Sequence, residues 1–337
     1  MKIKTMLSLF CIPALSLIMI SGCNLRDTKS TPESSNQSSG SVTVKNYEGK
    51  DVTISGAPQK IVILPIWEAE MVIDLIGTGR IAALSSFIDS EVTSYSAKEA
   101  AKVKNRVSSS EAEKIISLRP DLVLLDSFND FDGSLTATLK GAGITVLTLT
   151  SPVTFEEIGD RLDTISKAVF APEKGQQLIS EMERRLDSVK EKVSGITQKV
   201  KVMYYEDYYS NDGTSAGMLC AYGKGSSFES IAAAAGAVNV CTAANYSAVS
   251  KETVINDWKP ELLVVPGIKY DESFKAIDDK GATIISAIKK DKILSTLPAV
   301  KNDRVVALQD KYRGSTSHYM AFAVEELAKA CYPDLFK

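Results

Sequence analysis

The 337-residue sequence predicts an α/β fold of two lobes, each with a central, mainly parallel sheet, joined by one long backbone helix. Three observations carry this. Short apolar runs of strand length alternate with helical segments on both sides of residue 195, the pattern of parallel sheets covered by helices. Between these regions lies a stretch that is helical in periodicity throughout. One segment of the first region also has a counterpart in the second.

The chain opens with Met1-Lys2-Ile3-Lys4, an apolar run over residues 6–20, and then Ile20-Ser21-Gly22-Cys23. A basic start, a short apolar run and small residues before a cysteine form a lipoprotein-type secretory signal. The run is short for a membrane span, which needs ~20 apolar residues. The expectation is a signal peptide over 1–22, cleavage before Cys23, and lipid on that cysteine holding the protein at the extracytoplasmic face of the cell membrane. An uncleaved anchor is the alternative. Residues 23–41 form a linker: Ser, Asn, Gln and Pro dominate, and such a segment buries too little to offset its ordering entropy.

The first lobe is expected over 42–152. Residues 42–54 alternate and break at Gly49, a hairpin. A short apolar strand over 60–64 ends at Pro65, a helix over 70–76 stops at Gly77-Thr78-Gly79, and 81–84 is a second strand. Residues 108–118 read as a helix with Ser110 as N-cap and Glu111 and Glu113 in the first turn. Pro120 ends it, and 121–125 is a buried-type strand. A helix over 135–140 closes at Gly141, and 144–149 is a strand.

Residues 153–195 connect the lobes. Phe155, Ile158, Leu162, Ile165 and Val169 lie on one helical face. Ala171-Pro172 ends that helix and begins the next, with Pro172 at its first position. Leu178, Met182, Leu186, Val189 and Val193 share a face of the second, which at ~1.5 Å per residue spans roughly 33 Å. The α/β pattern resumes over 196–337, with strands at 199–205, 260–265 and 303–308 and helices at 226–235, 251–258 and 317–331.

Hydrophobic content of 44% and charged content of 24% predict a packed core. A net charge of −3 does not fit a nucleic-acid partner, which favours a basic face. The single histidine, His318, rules out a multi-histidine metal centre, and no cofactor is expected. Gly213-Thr214-Ser215-Ala216-Gly217 matches a nucleophile elbow, but Ser210-Asn211-Asp212 before it reads as a turn where the elbow needs a strand. Cys11 leaves with the signal. Cys220, Cys241 and Cys331 remain: either Cys220 and Cys241 pair, or all three are small buried hydrophobes.

The internal echo is Glu113-Lys114-Ile115-Ile116-Ser117-Leu118-Arg119-Pro120-Asp121-Leu122-Val123 against Glu252-Thr253-Val254-Ile255-Asn256-Asp257-Trp258-Lys259-Pro260-Glu261-Leu262-Leu263. With the strand over 58–64, the long helix and Gly236-Ala237-Val238-Asn239, it makes the chain resemble, over about 58–336, the substrate-binding proteins of ABC importers for iron-siderophore, haem and vitamin B12. The resemblance implies a ligand cleft between the lobes and a lipid-anchored monomer that captures an iron complex or a corrinoid and delivers it to a permease and its ATPase, with no reaction catalysed. A lipoprotein sensor or enzyme on the same scaffold is the alternative. The resemblance also implies that Glu113 and Glu252 dock onto permease arginines. Eight positions separate Glu252 from Pro260 and seven separate Glu113 from Pro120, and one residue turns a helical side chain by about 100°.

Ligands of open α/β sheets bind beyond the carboxyl ends of the strands. That rule selects Trp67, Phe87, Arg106 and Phe128 in the first lobe and Tyr205, Tyr208, Tyr209, Tyr312 and Arg313 in the second. Tyrosines offer flat faces to a large or chelated ligand, and the arginines offer bidentate contacts to its carboxylates. His318 is a further candidate, as a haem ligand.

Overall fold

The computed structural model describes residues 40–207, 219–271 and 275–337. Cys23 and its linker through residue 39, Tyr208, Tyr209 and Ser215 lie outside them, and the last residue assigned to the linker, Ser41, begins the first strand. An antiparallel hairpin, β1 (Ser41–Lys45) and β2 (Asp51–Ser55), comes first. The first lobe follows as β3 (Ile61–Ile63), α1 (Ile66–Ile76), β4 (Ile81–Leu84), α2 (Ala97–Ala100), α3 (Ala112–Ser117), β5 (Leu122–Asp126), α4 (Ser134–Gly141) and β6 (Val146–Leu149). Its four strands are all parallel, in the order β4-β3-β5-β6. Every residue of β3, β5 and β6 is buried, as expected of a parallel sheet covered on both faces. The chain leaves β3 on one side for β4 and crosses to the other for β5. The crevice beyond these strand ends is therefore the topological switch point.

Helices α5 (Phe155–Ala168) and α6 (Pro172–Val193) connect the lobes. Thr154 and Glu157 close a reciprocal capping box on α5, and Pro172 opens α6. Where the two helices cross, a Cβ on Gly175 would lie 2.4 Å from Ser166 Cβ, so only glycine permits this approach.

The second lobe contains β7 (Lys201–Glu206), β8 (Cys220–Tyr222), α7 (Ser227–Ala234), β9 (Val238–Asn239), β10 (Tyr246–Ala248), α8 (Lys251–Thr253), β11 (Leu262–Pro266), β12 (Ile268–Tyr270), β13 (Ala276–Asp278), α9 (Ala282–Lys290), α10 (Pro298–Lys301), β14 (Val305–Leu308), α11 (Asp310–Arg313) and α12 (Met320–Cys331). Its main sheet runs β10-β8-β7-β11-β14, with β9 also beside β7. Strands β7, β11 and β14 are parallel, whereas β8 and β10 are antiparallel additions. Gly236 ends α7 at φ 75°, and a Cβ there would meet Val193 Cγ2 at 2.9 Å. The end of α7 thus closes against the end of α6.

The structure departs from expectation in several elements. The helix expected over 108–118 begins at Ala112, and Glu111, not Ser110, occupies the N-cap position. The Glu111 carboxylate accepts from Ser108 N at 2.8 Å, so the preceding turn folds back on itself before the helix starts. Strands β8, β10, β12 and β13 have three residues each and carry no readable alternation. Helix α9 buries only Ile284 and Ile288, too few positions to mark a period.

One apolar cluster runs through both lobes. It begins at Val44 and Ile54 in the hairpin, passes through Ile61, Met71, Leu162 and Leu178, and continues into Tyr204, Phe228, Val324 and Leu327. Two smaller clusters cover the outer sheet faces, one around Val123 and Leu139, the other around Leu263 and Ile288. All described residues fall in one compact unit. Cys220, Cys241 and Cys331 are buried free thiols. Among the described residues, no helix is long and apolar enough to cross a membrane.

Candidate ligand cleft

The first wall is built at the carboxyl ends of β4 and β5. Asp126, the last residue of β5, is buried and works in three directions. Its Oδ2 accepts from Trp67 Nε1 at 3.0 Å and from the Ser151 hydroxyl, and its Oδ1 accepts from Phe128 N at 2.6 Å. Asp130 accepts from Leu135 N and Thr136 N, fixing the far end of the loop to the start of α4. Held at both ends, the loop presents Phe128 at 87% exposure and Phe131 at 95%; from the turn after β4, Phe87 stands 74% exposed. Large apolar side chains left this open on neighbouring loops mark an interaction surface.

Beneath this wall lies Glu68, fully buried, with no hydrogen-bond partner for either oxygen among the described residues. Burial, reinforced by the neighbouring Asp126, pushes its carboxyl well above the usual range, against the opposing pull of Arg161. Both burial and Asp126 favour the protonated form of Glu68.

The second wall is a row of tyrosines across the sheet. Tyr204 on β7 and Tyr222 on β8 meet edge to face at 5.2 Å, and Tyr222 and Tyr246 on β10 lie 4.7 Å apart as direct cross-strand partners. The Arg313 guanidinium sits over Tyr204 at 4.7 Å and over Tyr222 at 4.9 Å. It donates to Asp310 Oδ1 at 3.1 Å, and Asp310 Oδ2 accepts from Gly267 N at 2.9 Å. This chain of contacts ties α11 to the end of β11. Tyr246 and Tyr270 emerge partly exposed.

A polar seam joins the walls at the base. Glu70 of α1, buried, accepts from Ser94 Oγ at 2.7 Å, from Tyr95 N at 2.9 Å and, across the lobes, from Ser317 Oγ at 2.6 Å. Asp74 meets His318 Nε2 at 2.9 Å and accepts from the Tyr319 hydroxyl. The Tyr95 ring lies 4.1 Å from that of Tyr319 and 5.9 Å from that of Tyr312. Beside them, Arg185 of α6 covers Phe322 at 4.0 Å and donates to Glu325 at 2.7 Å. At the flank, a groove of about 560 Å³ opens between Glu91 and Val92 of the first lobe and Gly267, Ile268 and Lys311 of the second.

The expected ligand-facing residues separate into groups. Phe87 and Phe128 stand exposed at strand ends. Trp67 does not: its indole is buried and spent on Asp126. Tyr205 is likewise buried, because alternation along β7 turns it into the outer core of the second lobe. Arg106 grips Asp89 through Nε at 2.9 Å and Nη2 at 2.6 Å, and also donates to the carbonyls of Ala100, Val103 and Asn105. Arg313 is buried against its tyrosines and Asp310. Both arginines therefore brace the frame and do not offer a fork to a ligand. Tyr312 belongs to the seam, half-buried, and His318 is turned onto Asp74. Sequence reasoning missed Phe131, Asp126, Glu70, Tyr222 and Tyr246. The run Asp126-Ser127-Phe128-Asn129-Asp130-Phe131-Asp132, with acids and phenylalanines interleaved at a strand end, was the signal for the first two.

Glu113 and Glu252 are exposed in the first turns of α3 and α8. Each segment leaves its helix through a residue at positive φ just before proline: Arg119 at 52° before Pro120, Lys259 at 46° before Pro260. The extra residue in the second segment is taken up by a π turn over Val254–Trp258, closed by Lys259 N donating to Val254 O at 2.9 Å.

A family model described as "Periplasmic binding protein" matches residues 61–312. The chain is 26% identical over 333 residues to YvrC of Bacillus subtilis (strain 168), described as an uncharacterized ABC transporter substrate-binding lipoprotein, covering 96% of each chain. Among solved structures, it is similar to the apo form of the periplasmic haem-binding protein RhuT from Roseiflexus sp. RS-1, with a TM-score of 0.66 and 20% identity over 82% of this chain and 99% of that one. A possible iron-binding periplasmic solute-binding protein from Staphylococcus epidermidis ATCC 12228 is similar at a TM-score of 0.65 and 20% identity, over 82% and 99%. At these identities the solved structures speak to the fold.

Proposed function

The chain belongs to the periplasmic binding protein family, and on that premise we propose that it is the capture subunit of an ABC importer, taking up an iron complex (a siderophore chelate or haem) or a corrinoid outside the cytoplasm and handing it to a permease and its ATPase. The observation that carries the reading is the aromatic surface at the strand ends: Phe87, Phe128 and Phe131 on one lobe and Tyr222 and Tyr246 on the other, with Tyr204 buried behind them. A flat, largely apolar cleft with few directed polar groups suits a large chelate or macrocycle. The description of YvrC as a substrate-binding lipoprotein and of RhuT as a haem-binding protein supports the same assignment.

Lipid on Cys23, followed by the polar linker, would keep the protein beside its permease and raise the effective concentration of loaded cleft there. Glu113 and Glu252, one on each lobe, are the carboxylates that fix orientation on the permease. Exposed acids at first turns also serve their own helices, so this role rests on transport and not on geometry alone. The reading is tested by titrating purified protein with haem, cobalamin and ferric siderophores while following ligand absorbance. Saturable binding of at least one is expected, and no binding to any of them refutes the assignment.

A further inference from the structure

The main sheet of the second lobe ends at β14, whose only strand neighbour among the described residues is β11. Along β14, Val306 and Leu308 pack toward the shared core, and Val305 and Ala307 toward the outer one. A groove over one face of a sheet is lined by alternate residues of a strand. The flank groove is lined by all four in succession, so it runs along the open edge of β14.

That edge has unused hydrogen-bonding groups. Leu263 N of β11 donates to Arg304 O at 3.0 Å. Backbone groups alternate in direction along a strand, so Val306 turns its own toward β11, while Val305 and Ala307 turn theirs outward. Neither residue's N–H or C=O has a hydrogen-bond partner there among the described residues. Gln309, the next outward residue, does: its N donates to Glu326 Oε2 at 3.2 Å. A carboxylate oxygen thus stands where the carbonyl of a further strand would accept.

From this we infer that the groove is a peptide site, separate from the strand-end cleft and independent of the capture role. A short extended peptide adds to β14 as a further strand and bonds to Val305 and Ala307. The volume of about 560 Å³ is that of a ligand site, and four residues at ~3.3 Å each offer about 13 Å of edge. Val92, Ile268 and Ile285 give its side chains apolar contacts. The charges in the lining balance. Glu91 pairs with Lys98 and Asp310 with Arg313, while Lys280 and Lys311 stand against Asp278 and Glu326. The complementary peptide is therefore uncharged. Residues 24–39 of this chain contain no alternating apolar run to fill the groove. Glu91 and Val92 of the first lobe form its other side and shield β14 from the edge of a folded second copy.

The test adds acetyl-Val-Thr-Val-Thr-amide to the full-length protein, read by titration calorimetry and residue-resolved hydrogen exchange. Saturable binding is expected, and the amides of Val305 and Ala307 should exchange at least tenfold more slowly. Ala307→Pro removes one outward donor at an edge position that tolerates proline, and should weaken binding at least tenfold with thermal unfolding unchanged. The same peptide methylated at every amide nitrogen should not bind the unmodified protein. No binding, unchanged exchange at Val305 and Ala307, or equal binding of the methylated peptide overturns the site. Protection that grows with protein concentration in the absence of peptide assigns the edge to a second copy and also overturns it. The capture role is read by its own titration and stands or falls apart from these outcomes.

Discussion

The two walls proposed to hold the ligand are built in opposite ways. On the first lobe, the exposed residues are phenylalanines held through their backbone: Phe128 and Phe131 by Asp126 and Asp130 pinning the loop ends, and Phe87 by its N donating to Ser85 Oγ at 3.3 Å. On the second lobe, the tyrosines are packed on one another and on a buried arginine, and Tyr204 reaches into the shared core. In the proposed capture role, the first wall keeps recognition separate from stability. The second makes one set of side chains serve both.

The largest expected effect tests this directly. Arg313→Ala leaves Asp310 buried without its ion-pair partner and should cost about 3–5 kcal/mol of stability by denaturant unfolding. Phe128→Ala should leave stability within about 0.5 kcal/mol while weakening ligand binding roughly tenfold by equilibrium titration. If both variants lose stability equally, the distinction between the walls is false.

The Glu113 and Glu252 segments, proposed to dock on the permease, form a second pair. Reversing both acids, Glu113→Arg with Glu252→Arg, should lower cellular uptake several-fold while ligand affinity holds. Removing Asn256 from the π turn should leave uptake near the unmodified level, because seven-residue spacing suits an ordinary helix ending at the same proline. Uptake lost on that deletion would mean that the π turn does more than absorb a residue. Affinity falling in step with uptake in the double reversal would count against docking.

The smallest effect is a pH slope. The Glu68 carboxyl is raised above its ordinary value near 4.5, chiefly by burial. Above that pH the unfolded chain has released a proton that the folded chain retains. Stability therefore declines as pH rises from about 4.5 toward the raised value. Glu68→Gln should flatten this decline in urea unfolding between pH 4 and 8, and an unchanged slope would show that Glu68 is ionised in place. The first lobe would then carry a buried charge without a hydrogen-bond partner, where the second pairs its own.

Much of the scaffold was legible because its signals are local. Pro120 and Pro260 end helices, Gly236 stops one, and the faces of α5 and α6 repeat over several turns. The parallel strands β3, β5 and β11 are continuous apolar runs. The site was legible only in position. Strand-end loops could be chosen by rule, but whether a side chain there faces the cleft depends on partners distant in sequence. Trp67 turned inward because Asp126 lies 59 positions away, and Arg106 was withdrawn by Asp89. The seam between Glu70 and Ser317, 247 positions apart, had no local trace at all.

The apolar cluster that runs unbroken from the hairpin into α12 has a calorimetric consequence. Two lobes with separate interiors would melt in two steps, each with its own heat. Here residues of β3, α5, α6, β7 and α12 contribute to a single interior. Losing the first lobe strips the face of α6 on which the second depends. The protein should melt as one cooperative unit. Ligand held in the cleft then raises the melting temperature of the whole molecule, even where the ligand touches only one wall.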